Sequence, residues 1–518
     1  MRRIRLTSLA AIFCLCLTWG VPLSAAEKNS AYLAALESIT AADLGEYVEH
    51  LASPDLEGRE AGTQGGRAAG DYLAARYTKL HLRSAGDDGG FLQSFAPDFR
   101  NVLALLPGSD PKLRDQVIIV CAHYDHIGYG ANGLSLDGYG RIHPGADDNA
   151  SGTSAVIELA HAMTLLSQPP KRSILFCHWD AEEKGLLGSK HWAANPTIPL
   201  EHVVAGLNLD MIGRLREGHL SVVGSRSGAG WRRLLSSHNE DARLRMEFSW
   251  LLKPNADHFP LFEQGIPVLL LHTGMHDDYH RTTDVAASIN RDGMKKITRM
   301  LFGFVYDLAN AAATPAFRAA AREETAETEA SLLAQAEKPA GRLGVGWQED
   351  AAVAGGAVVS SVEPDSPAER AGIQPGDRIV RVAGRELRSD DDFYGAVSAA
   401  ANPAMIVVKR PGKEKPLTLS ATLTGQPLRW GMAWRIDDAE PGAIILTHVV
   451  RGSPAAKAGL APEDRIYQVA GRDFADETAF LRMTKAQGES LPLLVERNGR
   501  LHRVTLQSRQ STPLKRAA

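Results

Sequence analysis

Short, largely apolar runs recur along the first part of this sequence, at 117–121, 173–177, 203–209 and 267–271. Runs of this length with little polar interruption predict strands buried on both faces. Between them, 151–166 and 185–194 carry helical spacing, as do 41–52 and 66–80 on either side of the turn Glu57-Gly58-Arg59-Glu60-Ala61-Gly62. The alternation predicts an α/β fold, a mainly parallel sheet flanked by helices, with functional residues where strands end. From 311 to about 340 the composition shifts to Ala, Glu, Thr and Arg without strand signals, which predicts a partly helical linker. Beyond it the pattern repeats. Ser366-Pro367-Ala368, Asp377-Arg378-Ile379 and Val382-Ala383-Gly384-Arg385 recur at one constant offset as Ser453-Pro454-Ala455, Asp464-Arg465-Ile466 and Val469-Ala470-Gly471-Arg472. Each copy is long enough for a small domain, so the repeat predicts two tandem β-rich domains of one fold.

Length and charge add limits. A chain of 518 residues exceeds what one core supports, and a net charge of −4 with no basic block argues against nucleic acid as a partner. Arg2, Arg3 and Arg5 precede an apolar stretch at 9–17 and the small residues Ser24-Ala25-Ala26, the pattern of a secretory signal over 1–26. That stretch is shorter than the roughly 20 residues of a spanning helix. The expectation is an exported protein, periplasmic or extracellular, with no stable membrane span once the signal is cleaved. Cys121 and Cys177 are then the cysteines of the mature chain, and their apolar surroundings predict buried thiols, with a disulfide left open.

Four polar clusters follow strands or open helices: Ala122-His123-Tyr124-Asp125-His126, Gly145-Ala146-Asp147-Asp148-Asn149-Ala150-Ser151-Gly152, Trp179-Asp180-Ala181-Glu182-Glu183 and Asn208-Leu209-Asp210-Met211. His280 follows in Asp278-Tyr279-His280-Arg281. Singly, each is more simply a cap or a hydrogen-bonded structural residue. Together they bring carboxylates and imidazoles to the ends of successive strands. Like charges meeting in one crevice repel unless a cation lies among them, so the coincidence points to a metal centre. Period two along an extended segment puts His123 and Asp125 on one side, where the carboxylate can orient the imidazole.

In that order, these motifs, with Gly185-Leu186-Leu187-Gly188-Ser189 after Glu183, resemble the M28 zinc peptidases, over about 35–310. The resemblance implies a peptidase domain over 27–312 and a 313–340 linker. It further implies His123, Asp148, Glu183, Asp210 and His280 as metal ligands, with Asp148 bridging two Zn2+ and often followed by a cis peptide. Glu182 is implied as general base, with Asp125 supporting His123. Two divalent ions balance Asp148, Glu183, Asp210 and one hydroxide, whereas one ion leaves the crevice negatively charged. The implied activity is exopeptidase cleavage of peptide substrates, as an aminopeptidase. A glutaminyl cyclase-like enzyme and a non-catalytic binding protein on the same scaffold are the alternatives; intact His123 and Asp210 argue against the first, and the retained Glu182 and ligand set against the second. Asn255-Ala256-Asp257-His258-Phe259 looks like the family's substrate-side loop and receives no role. The repeats, over 341–425 and 426–510, resemble PDZ domains, with Leu343-Gly344-Val345-Gly346 and Trp430-Gly431-Met432-Ala433 in place of the carboxylate-binding loop. They imply docking of protein C-termini.

Overall fold

The structure is a computed structural model that describes residues 29–95, 97–334, 341–348, 355–388 and 390–508. The signal sequence expected over 1–26 lies outside them. Among the described residues, nine strands form the first sheet: β1 (Arg83–Ser84), β2 (Leu92–Phe95), β3 (Phe99–Leu106), β4 (Val117–His123), β5 (Ser173–Trp179), β6 (Val203–Leu209), β7 (His219–Val223), β8 (Arg245–Ser249) and β9 (Val268–His272). Their order is β1-β3-β5-β4-β6-β9-β7-β8, with β2 paired to β3. The central four, β5, β4, β6 and β9, run parallel, while β3 and β7 join them antiparallel on either side. The sheet is therefore mixed around a parallel centre. Every residue of β4 and β5 is buried, as their largely apolar runs require. Cys121 and Cys177 stand opposite each other on these strands, buried and unbonded.

Helices cover both faces. α1 (Ser30–Ser38), α2 (Ala41–Leu51), α3 (Gln64–Lys79) and α4 (Gly152–Thr164) precede α5 (Leu187–Ala194), α6 (Trp231–Ser237), α7 (His258–Glu263) and the long α8 (Arg291–Asn310). α4 is almost wholly buried, sandwiched between β4 and the α2–α8 layer. α8 buries Met294, Ile297, Leu301, Phe304, Val305 and Leu308 along one stripe. No helix among the described residues is long and apolar enough to cross a membrane.

The segment read as a linker is only partly free of this domain. Phe317 bridges to Gly228, Arg318 donates to the Arg226 carbonyl, and Ala321 is buried against the sheet. The Arg318 guanidinium is held by Glu324 and Asp438.

The repeats fold alike. The first holds β10 (Val345–Gln348), β11 (Ala357–Val362), β12 (Arg378–Val382), β13 (Arg385–Glu386), β14 (Ala404–Lys409) and β15 (Leu417–Ala421), in the order β10-β11-β12-β14-β15. The second holds β16 (Met432–Arg435), β17 (Ile444–Val449), β18 (Arg465–Val469), β19 (Arg472–Asp473), β20 (Ser490–Arg497) and β21 (Arg500–Gln507), in the equivalent order. Each encloses its own apolar core. The repeated Ser-Pro-Ala opens a short helix in both, with Ser366 and Ser453 capping it through their hydroxyls.

Candidate active site

Every expected site residue lies at or just beyond the C-terminal end of a parallel strand or in the turn into α4, apart from His280, which the loop after β9 supplies. His123 closes β4, and its carbonyl is fixed by the Thr153 hydroxyl of α4 at 2.8 Å. Its Nε2 stands 3.3 Å from Asp148 Oδ1 and 3.5 Å from Asp210 Oδ1. The other oxygen of Asp148 is 3.2 Å from His280 Nε2. Glu183 Oε2 is 3.1 Å from the same nitrogen, and Glu183 Oε1 is 2.9 Å from His126 Nδ1. The side chains thus form two donor groups that share Asp148. His126, Asp148, Glu183 and His280 make one, and His123, Asp148 and Asp210 the other, with the ligand atoms of each group within 4.8 Å of one another. Glu182 belongs to neither.

The backbone around these groups is held by polar side chains. Asp284 Oδ2 accepts from the N–H groups of Asp147 (2.9 Å) and Asp148 (3.1 Å), ahead of α4. Asn149 Oδ1 accepts from Gly152 and Met211, and its amide donates to the Leu209 carbonyl, so one side chain ties the turn to the end of β6 beside Asp210. The Asp148–Asn149 peptide is cis. Arg59 is fully buried and donates to the carbonyls of Leu51, Tyr124, Pro144, Gly145 and Asp148. Gly145 has φ +57°, and a Cβ there would meet the Asp148 carbonyl at 2.2 Å and the His126 ring at 2.5 Å.

Asp125 behaves differently from the expectation. Its carboxylate accepts from the N–H groups of Glu182 (3.0 Å) and Glu183 (3.3 Å), which leaves it 3.7 Å from His123 Nδ1. The Asp125 carbonyl takes that nitrogen instead, at 3.2 Å. The two oxygens are drawn to the turn after β5 because its amides would otherwise be buried without partners. Asp257 and His258, in the loop to which no role was given, are buried at the start of α7.

Charge is concentrated here. Burial alone would lower the His280 imidazole, but Asp148 and Glu183 raise its pKa to about 10. Burial opposes ionisation of Asp148, yet contacts with His123 and His280 hold it well below the usual range. Burial pushes Glu182 well above the usual carboxylate range, with His123 opposing and Glu183 adding to the rise. Asp180 is raised to about 7 by burial and by Asp125.

Imidazoles and carboxylates without thiolate are a donor set suited to zinc. The fit is visible at His280, whose Nε2 is buried and close to both Asp148 and Glu183 but makes a well-formed hydrogen bond to neither. It is aimed between the carboxylates, as a ligand atom would be.

Residues 101–305 match the family model for peptidase family M28, and 358–410 and 445–497 each match that for a PDZ domain. Residues 101–305 are thus similar to peptidase family M28 and are followed by two segments similar to PDZ domains. Among curated relatives, leupeptin-inactivating enzyme 1 of Streptomyces exfoliatus is 28% identical over 229 residues, covering 43% of this chain and 48% of its own length. Aminopeptidase YwaD of Bacillus subtilis is 26% identical over 220 residues, covering 40% and 44%. The chain therefore spans about half the length of these relatives. Among solved structures, the Legionella pneumophila LapA aminopeptidase aligns over 54% of this chain and 74% of its own at 22% identity, with a TM-score of 0.45.

Proposed function

We propose that this chain is an exported, two-zinc exopeptidase acting as an aminopeptidase, with His123, Asp148, Glu183, Asp210 and His280 holding the metal. The observation that carries the reading is the pair of donor groups joined through one carboxylate, Asp148, with a carboxylate outside both groups, Glu182, next to Glu183 in sequence. Two zinc ions bound there would supply Lewis-acid activation of a water and of the scissile carbonyl. Glu182 takes the water's proton and returns it to the leaving amine, a task open to it because it ligates nothing. Burial pushes its carboxyl above the usual carboxylate range, the direction that makes a carboxylate a better proton acceptor. Asp125 holds the amides of Glu182 and Glu183 and so fixes base and ligand relative to each other. It is a positioning residue. Export rests on the pattern over 1–26, and docking of peptide C-termini on the glycine loops before β10 and β16.

A zinc-loaded digest of a peptide library, followed by mass spectrometry, tests the activity. Ladders shortened from the N-terminus are expected. Trimming confined to the C-terminus would overturn the aminopeptidase reading, and no cleavage at all would overturn the enzyme.

A further inference from the structure

His126 stands outside the ligand set that the family resemblance implies, yet it has the position of a ligand. β4 ends at His123, and the chain after it runs beside the turn at Glu60, where the His126 amide donates to the Arg59 carbonyl at 3.2 Å. This turns the ring inward. It is about 1% exposed, packed edge-on to the His280 ring with centroids 5.6 Å apart, and lies against the α-carbon of Gly145, which leaves room for it only because no Cβ is there. Its Nδ1 faces Glu183 Oε1 at 2.9 Å and Asp148 Oδ2 at 3.8 Å, while its Nε2 is buried without a hydrogen-bond partner. Both oxygens belong to residues that also face His280 Nε2.

We infer that His126 is a sixth protein ligand, completing a four-donor set with Asp148, Glu183 and His280, and that the two metal positions are therefore unequal. The inference rests on the two-zinc reading above. Four protein donors saturate a tetrahedral ion, as in sites that retain their metal, whereas three donors leave a position open for water or substrate. The His126 group is thus the tighter and coordinatively closed position. The His123, Asp148 and Asp210 group, with three protein donors, keeps the open position. Substrate and water are handled at the His123 position, and the His126 position anchors Asp148 between them.

Zinc K-edge X-ray absorption on the full chain, with one equivalent of zinc added to metal-free protein, counts the imidazoles on the first ion. About two per zinc are expected, falling towards one in His126→Asn, whose amide can still donate to Glu183 but is a poor ligand. In a calorimetric zinc titration, the first binding step of His126→Asn is expected to weaken by at least about 10- to 100-fold, with the second little changed. One imidazole per zinc in the unsubstituted chain would overturn the proposal and leave His126 as a hydrogen-bond partner of Glu183. Absence of stoichiometric zinc binding by the unsubstituted chain would overturn the zinc reading itself. The spectrum of the unsubstituted protein decides the matter even if the variant does not fold.

Discussion

Glu182 and Glu183 are neighbours on one turn, anchored by the two oxygens of one carboxylate, yet they face different surroundings. Glu183 touches His126 and His280, and Glu182 lies in neither donor group. Their roles separate by substitution. Glu182→Gln keeps size and hydrogen bonding but cannot accept a proton, so zinc content is expected to stay while turnover falls by about 10² or more. Glu183→Gln weakens one metal position, because a neutral amide ligates poorly, and its lost activity is expected to return in part with excess zinc. Kinetics and metal analysis on both variants check this. Zinc lost only from Glu182→Gln would show that the roles are exchanged.

At the scale of elements, the turn before α4 does the positioning. Asp147, Asp148 and Asn149 are buried, and two of their amides point at one carboxylate oxygen of Asp284, in the loop that also carries His280. Removing it with Asp284→Ala leaves two buried N–H groups unpaired, with an expected cost of about 2 to 3 kcal/mol in urea unfolding and a weaker zinc affinity. An unchanged midpoint would mean that the turn holds itself. The sequence shows some of this and hides the rest. β4, β5, β6 and β9 were legible because strands buried on both faces are largely apolar runs. β7 and β8 were not, since their burial alternates and their outer faces are polar. The stripe of α8 is legible in the sequence through Met294, Ile297, Leu301, Phe304 and Leu308, spaced at helical intervals. Asp284 and Arg59 act by holding backbone groups far away in the chain, and no local pattern announces such a contact. His126 lies in the segment after β4, and only the fold shows that its ring turns towards Glu183.

The whole molecule is more than a first domain with a tether. The second PDZ domain lies along the edge of the first sheet, where the turn between β20 and β21 caps strand β8: Asn498 accepts from the Met246 amide, and Gly499 lets the Met246 side chain approach where a Cβ would sit 2.6 Å from it. An exposed edge strand invites pairing with other chains, and this contact closes it. Ion pairs fasten the rest. Arg232 meets the buried Glu496 at 2.8 Å, and Arg226 is clasped between Glu324 and Asp437, both at 2.7 Å. Burial alone would raise Asp437, but Arg226 and Arg435 bring its pKa down to about 2, against 3.8 for a free aspartate. A carboxyl depressed on folding binds its proton more readily in the unfolded chain. Its contribution is therefore complete above about pH 4 and is lost as pH falls through about 2, with a magnitude of about 2 kcal/mol. Asp437→Asn lacks this term at every pH. In urea unfolding of metal-free protein, the unsubstituted chain is expected to exceed the variant in stability at pH 5 and to converge on it near pH 2. A constant difference across that range would show that the clasp acts through shape and hydrogen bonding, and that charge does not hold the second PDZ domain to the first domain.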